Sequence, residues 1–242
     1  MNILEINNLH KQFGGVYAVK SLTFAVKKNS ITALIGPNGC GKTTAFNLIT
    51  GFQKKDAGTI QYAQQDIPQQ PHNVAQKGIA RTFQHPRLFE TLTVYEHLQL
   101  ALNTDDDTLL SVFSREKNWL TEARQALEKV GFNNTLDTVA KDLSYGQRKL
   151  LDLAIALARK PKLLLLDEPV AGVNPQLRTQ IREVIHTIHK EGTTILFIEH
   201  DMQFVGKIAQ TVHVMNQGTL LTTGTPKEVR ENPAVLEAYL GQ

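Results

Sequence analysis

The sequence predicts an α/β fold organised around a mostly parallel sheet with helices on both faces. Three observations predict it. Residues 31–35 and 163–166 are short apolar runs of strand length with little alternation, the mark of strands buried on both faces. The first run leads directly into a glycine-rich turn and then a helix-patterned segment. The last third of the chain alternates strand and helix patterns in the same way.

Taken in order, Ile3, Leu4, Ile6 and Leu9 read as a short strand and Gly14-Gly15 as a turn. Leu22, Phe24 and Val26 alternate with polar residues as a second strand. Residues 42–50 read as a helix that stops at Gly51, and further strands are expected at 59–62 and 79–83. Between about 94 and 158 the pattern turns helical, through Leu98, Leu100 and Leu102 and then Ala123, Leu127 and Val130, ending at Gly131. This stretch reads as an insertion into the sheet. Residues 103–107, with Asp105, Asp106 and Asp107, lack the spaced ligands of a calcium loop and read as a solvated turn. After the run 163–166, a helix at 175–189, a strand at 193–198 and a helix at 202–209 are expected. Short strands at 212–215 and 219–221 and helical turns complete the chain. His186 and His189 are spaced to share a helix face, but no further ligands lie nearby in sequence, so they read as exposed helix residues.

Bulk properties exclude several classes. A chain of 242 residues can bury a full core, and 41% hydrophobic with 20% charged residues is a globular mixture. The 26 basic and 23 acidic residues are scattered, so the net charge of +3 gives no argument for nucleic acid. A single cysteine, Cys40, excludes an intrachain disulfide framework and fits a reducing compartment. No signal peptide is apparent, and no stretch reaches the roughly 20 apolar residues of a membrane helix. The expectation is a cytoplasmic protein, held at a membrane only through another subunit.

The chemistry concentrates in two segments. Gly36-Pro37-Asn38-Gly39-Cys40-Gly41-Lys42-Thr43 fits the phosphate-loop pattern and follows a strand and precedes a helix, as that motif requires. Its backbone N–H groups and the helix N-terminus suit phosphate oxygens. Lys42 supplies a point charge to the phosphates and the Thr43 hydroxyl can ligate Mg²⁺. The apolar run 163–166 ends in Asp167-Glu168, which places Asp167 at the carboxyl edge of a parallel sheet, where ligands bind. Asp167 is a candidate Mg²⁺ ligand, and Glu168 a candidate general base for an attacking water.

Leu143-Ser144-Tyr145-Gly146-Gln147, with Ser144 placed to cap a helix, resembles the LSGGQ signature of ABC-transporter ATPases, with Tyr145 where that family usually has glycine. Other family elements follow in order: Phe13 as the adenine-stacking aromatic, Gln84 as the Q-loop glutamine, Ala171-Gly172-Val173-Asn174 as the D-loop and His200 as the switch histidine. The last D-loop position is more often aspartate in the family than asparagine.

The resemblance implies a P-loop NTPase fold with a mostly parallel core sheet, an N-terminal antiparallel β part and an inserted helical subdomain. It places the catalytic core and β part at 1–90 and 159–242, and the helical subdomain at 91–158. ATP and Mg²⁺ are the implied cofactors. Phe13 and the loop from Gly36 through Pro37, Asn38, Gly39, Cys40, Gly41, Lys42, Thr43 and Thr44 would hold ATP. Thr43, Gln84 and Asp167 would hold the metal, with Glu168, His200 and Gln84 in catalysis. Ser144, Tyr145, Gly146 and Gln147 would address the ATP of a second protomer, so the implied partners are another ATPase subunit and the membrane permease subunits. A helical segment around 86–96 would grip the permease, with Leu88 and Phe89 facing that groove or the chain's own core.

Residues 78–89, 168–175 and the tail from Gly224 to Gly241 are similar to the ATPases of branched-chain amino-acid uptake. The segment between Ala101 and Asn118 is shorter than that group implies, and urea-uptake and lipopolysaccharide-export ATPases remain alternatives. So does a soluble, non-transport ABC ATPase, although the long coiled coil or second cassette of such proteins is missing. No N-K-x-D motif of a GTPase is present, and Glu168 with His200 speaks against a non-hydrolysing regulatory subunit.

Overall fold

A computed structural model describes residues 1–103 and 109–240, with side chains omitted at 109–118 and at 240. The loop expected at 103–107 therefore lies almost wholly outside the described residues. In chain order the first elements are β1 (Asn2–Phe13), β2 (Val16–Lys27), β3 (Ile31–Ile35), α1 (Lys42–Ile49), β4 (Ala57–Tyr62), β5 (Gln65–Asp66), α2 (Pro71–Gln76) and β6 (Ile79–Arg81). There follow α3 (Val94–Leu102), α4 (Leu109–Lys129), a 3₁₀ turn (Ala140–Asp142), α5 (Tyr145–Ala158), β7 (Leu163–Asp167) and α6 (Pro175–Lys190). The chain closes with β8 (Thr194–Ile198), α7 (Met202–Ile208), β9 (Thr211–Asn216), β10 (Thr219–Gly224), α8 (Pro226–Glu231) and α9 (Pro233–Leu240).

These elements form two compact units. The first comprises Met1–Arg81, Lys162–Glu168 and Ile188–Gln242, and the second Thr82–Pro161 and Pro169–Thr187. The first unit holds both sheets. Its six-stranded sheet runs in the order β10-β9-β3-β8-β7-β6. Every pair but β9–β10 is parallel. β3, β7 and β8 are buried at every residue, which explains their uninterrupted apolar patterns. A four-stranded antiparallel sheet, β2-β1-β4-β5, completes the unit. Leu4, Ile6, Leu9 and Leu22 from that sheet share one core with Phe46 and Ile49 of α1.

Four expectations change. The N-terminal segments are not short strands but a hairpin of two 12-residue strands. Bulges break the β1–β2 register at several points, and Asn8 and Ser21 sit at positive φ, so the period of two is interrupted and the sequence reads as fragments. β6 ends at Arg81 rather than 83, because the Phe83 N–H leaves the ladder to donate to the Asp152 carboxylate at 3.3 Å. The stretch 86–93 is irregular instead of helical. Helix α3 starts only at Val94, where Thr93 and Glu96 close a reciprocal capping box. His186 and His189 are half-buried, not exposed. β5 and α2 had no counterpart in the sequence reading, since their residues are mostly polar and the β4–β5 turn, Ala63-Gln64, uses positive φ at two non-glycine residues.

Candidate functional site

The glycine-rich turn leaves β3 in the middle of the six-stranded sheet and enters α1 at Lys42. The loop is shaped by backbone that side chains would not allow. Gly36, Gly39 and Gly41 all have positive φ, and Gly41 is the residue before the helix. Lys42 is buried, and its ammonium donates to the Gly36 carbonyl at 2.7 Å and the Pro37 carbonyl at 2.9 Å, closing the loop on itself. Thr43 is exposed and Thr44 half-buried in the first turn of α1, where the leading N–H groups have no helical acceptor. Cys40 is buried against the loop, and burial holds its thiol pKa above the ordinary value despite the nearby Lys42 charge. At the tip of the β1–β2 hairpin Phe13 keeps 45% of its surface exposed, with the Lys11 ammonium 5.2 Å from the ring centroid.

β8 lies between β3 and β7, so the acids ending β7 come out at the same carboxyl edge as the loop. Asp167 is buried. Its Oδ2 accepts from Arg81 Nη2 at 2.8 Å, with both side chains only 4% exposed. The same guanidinium donates through Nη1 to Asn47 Oδ1 at 2.7 Å and to Thr50 Oγ1 at 3.1 Å, and sits 5.5 Å over the Phe46 ring. Removing one member of such a pair strands a buried charge at a cost of about 3–5 kcal/mol. Among the described residues Asp167 Oδ1 has no protein donor.

Glu168 follows with φ of 48° and donates its N–H to the Ile198 carbonyl at 3.0 Å. Its Oε2 stands 3.4 Å from His200 Nε2. The His200 N–H is met by the buried Glu199 carboxylate at 3.3 Å, and Asp201 caps α7 through the Gln203 and Phe204 N–H groups. The structure thus brings together the loop, Asp167, Glu168 and His200 within one unit.

The other predicted residues belong to the second unit. Ser144 caps α5 in a capping box: its Oγ accepts from the Gln147 N–H, and Gln147 Oε1 accepts the Ser144 N–H at 2.8 Å. The cap uses a lone pair, so the hydroxyl proton stays available, and the Gly146 N–H in the first turn has no helical acceptor. Gln147 Nε2 is spent on Asn134 Oδ1 at 2.7 Å. The Tyr145 hydroxyl stands 3.5 Å from the carbonyls of both Gln84 and Ala171, and its ring lies beside Gly172, whose φ is 70°. Gln84 itself is exposed. Asn174 Oδ1 accepts the Leu177 N–H at 2.8 Å, a capping role that aspartate would fill equally well. Val173 separates Gly172 from this cap.

Two residues escaped the sequence reading. Arg81 was one letter of the Gln84 motif, and its pairing with Asp167 appears only once β6 and β7 are neighbours. Asp152, buried in α5, holds the backbone just before Gln84. Burial pushes its carboxyl pKa up to about 7, against the Phe83 N–H and the charges of Lys149 and Arg87. An acid at an apolar position of an otherwise amphipathic helix was the available signal.

The ABC transporter family model matches residues 19–171, and a second model, branched-chain amino acid ATP-binding cassette transporter, matches 219–242. The high-affinity branched-chain amino acid transport ATP-binding protein LivG of Salmonella typhimurium is 40% identical over 250 aligned positions, covering 99% of this chain and 98% of the relative. A nucleotide-free ATP-binding cassette from an ABC transporter superimposes with a TM-score of 0.88 at 33% identity, over 100% of both chains. The ADP conformation of the cassette MJ1267 gives a TM-score of 0.85 at 33% identity, again over 100% of both chains. A phosphate loop, the acid pair beside it and the signature-bearing helix therefore sit in a chain that belongs to the ABC transporter family, among its branched-chain amino acid transport ATP-binding proteins.

Proposed function

We propose that this chain binds and hydrolyses ATP to drive a transporter that imports branched-chain amino acids. The observation that carries the ATPase reading is the common sheet edge that presents the Lys42 loop, Asp167, Glu168 and His200 together. The likeness to LivG carries the substrate; nothing in this chain need touch the amino acid. The first unit carries the catalytic core with its β part, and the second carries the helical signature part, 91–158, together with residues 82–90, 159–161 and 169–187 that the sequence placed with the core.

In this reading the N–H groups from Asn38 to Thr44 cradle the phosphates, and Phe13 stacks on the base. Lys42 exchanges the carbonyls of Gly36 and Pro37 for phosphate oxygens. Mg²⁺, when bound, neutralises charge on the β- and γ-phosphates. The site suits it: an exposed Thr43 hydroxyl and one carboxylate oxygen of Asp167 are unspent, and this hard ion commonly takes one or two protein oxygens with the rest from phosphate and water. Gln84, which lies in the second unit, keeps the metal and catalytic role that the family resemblance gives it. Glu168 accepts the proton of the attacking water, and His200 holds the γ-phosphate while its ring nitrogen keeps Glu168 in place. Positioning and electrostatics supply most of the rate. Ser144, Gly146 and the D-loop address the nucleotide of a second protomer, so the working form is a dimer on the cytoplasmic face of the membrane, docked to permease subunits. Phe89, 63% exposed, serves that docking surface.

The test is size exclusion with light scattering on Glu168→Gln, with and without ATP. ATP-dependent conversion of monomer to dimer is expected, because the amide cannot take the proton while every phosphate donor remains. A protein that fails to bind ATP would overturn the reading from Lys42 onward.

A further inference from the structure

The Arg81 guanidinium spans three elements that the proposed chemistry needs in fixed relation. It leaves the end of β6, meets Asp167 at the end of β7 and reaches two residues of α1. α1 begins at Lys42-Thr43. Asn47 lies one turn beyond Thr43 and Thr50 at the C-terminal cap, so the helix is a rigid lever between Arg81 and the Thr43 hydroxyl. Thr50 Oγ1 is itself aimed by its bond to the Phe46 carbonyl at 2.6 Å.

We propose that Arg81 is a positioning residue that sets the separation of Thr43 and Asp167, and thereby the geometry in which the chain receives Mg²⁺ with the nucleotide. This rests on the functional reading above. Three features argue for it. The fork is planar and always charged, so its two terminal nitrogens aim at α1 and β7 simultaneously, which a lysine cannot do. The contact occupies only Oδ2 of Asp167, leaving Oδ1 unspent among the described residues and locked in orientation. Nearly complete burial of both side chains keeps water from loosening the arrangement. A structural ion pair that only glued strands together would need neither the α1 contacts nor the spared oxygen.

The experiment measures the affinity of a fluorescent ATP analogue, in EDTA and in Mg²⁺, for the full chain, Arg81→Lys and Asn47→Ala. Wild type binds more tightly in Mg²⁺. Arg81→Lys keeps the charge but loses the fork, and its Mg²⁺ enhancement is expected to fall about tenfold while binding in EDTA stays within about twofold. Asn47→Ala leaves the Asp167 contact intact and frees one α1 anchor, giving a smaller loss in the same sense. It also covers the case in which Arg81→Lys does not fold. Unchanged Mg²⁺ enhancement in a folded variant overturns the proposal, as does an equal loss with and without Mg²⁺. A wild type that binds no nucleotide overturns the functional reading itself, so the two failures are distinguishable.

Discussion

Two glycines of one loop separate steric need from backbone need. A Cβ built on Gly36 stands 2.1 Å from the Met215 carbonyl oxygen and 2.8 Å from Cys40 Sγ, with φ at 148°. Carbon surfaces meet at about 3.5–4.0 Å, so the added methyl is more than 1 Å too close to fixed backbone. Met215 lies in β9, and β9 is tied to β3 through the Ile35–Val214 register. Relief would have to part that ladder, so overpacking of about 1–3 kcal/mol adds to backbone strain of similar size, roughly 4 kcal/mol together. Gly39 has φ of 76° and nothing within 4 Å of its added Cβ. Gly39→Ala therefore meets only the left-handed cost of about 1–2 kcal/mol, partly offset by the stiffer unfolded chain. At about 2–4 °C per kcal/mol for a chain of this size, the midpoint should drop by about 2–4 °C for Gly39→Ala. For Gly36→Ala the drop should be about 10 °C or more. Thermal unfolding followed by circular dichroism without nucleotide makes the comparison. Equal losses for the two variants would refute the tight β3–β9 approach.

Two further outcomes follow from the second unit. Ser144→Ala removes the α5 cap and should lower stability by about 1 kcal/mol in thermal unfolding, while ATP turnover falls much further than that loss explains. Burial raises the Asp152 pKa from 3.8 to about 7, so the folded chain keeps a proton that the unfolded chain has released between about pH 4 and 7. Stability accordingly falls as pH climbs through that window and stays low above it. Asp152→Asn, which keeps an acceptor for the Phe83 N–H, should flatten the fall and raise the melting temperature at pH 8 by roughly 3–6 °C. A variant as pH-sensitive as wild type would exclude Asp152 as the source.

Much of this was legible because the chemistry is local. The loop Gly36 to Thr43 is a strand, a turn and a helix start in consecutive residues, so spacing alone reports its shape. Ser144 and Gln147 form a cap three residues apart, also within reach of pattern reading. What stayed hidden depends on pairing across distance. Arg81 and Asp167 are 86 positions apart, and Phe83 and Asp152 are 69 apart. Only the parallel register of β6 and β7, or the packing of α5, brings each pair together. The bulged β1–β2 hairpin misled for a different reason, since its extra residues erase the alternation by which strands are recognised.

Glu168 shows where that local logic gives way to function. Of the non-glycine residues at positive φ, Asn8 and Ser21 lie at bulges of the β1–β2 pair, Ala63 and Gln64 make a hairpin turn, Gln217 precedes Gly218 in another, Asn29 lies between β2 and β3, and Lys160 follows a helix end. Glu168 joins no hairpin and ends no helix; it directly continues a fully buried strand. Such a conformation costs about 1–2 kcal/mol for a residue with a Cβ, and glycine or asparagine would adopt it more readily. The N–H bond to Ile198 holds the backbone there, and the side chain thereby turns to within 3.4 Å of His200. Strain retained at one acid beside the Lys42 loop, where an easier residue would fold better, supports the proposed role of Glu168 as the general base. Glu168→Gly should therefore cost little stability for so buried a position, while ATP hydrolysis is lost. A variant that unfolds as readily as a core truncation would mean that Glu168 is there for packing.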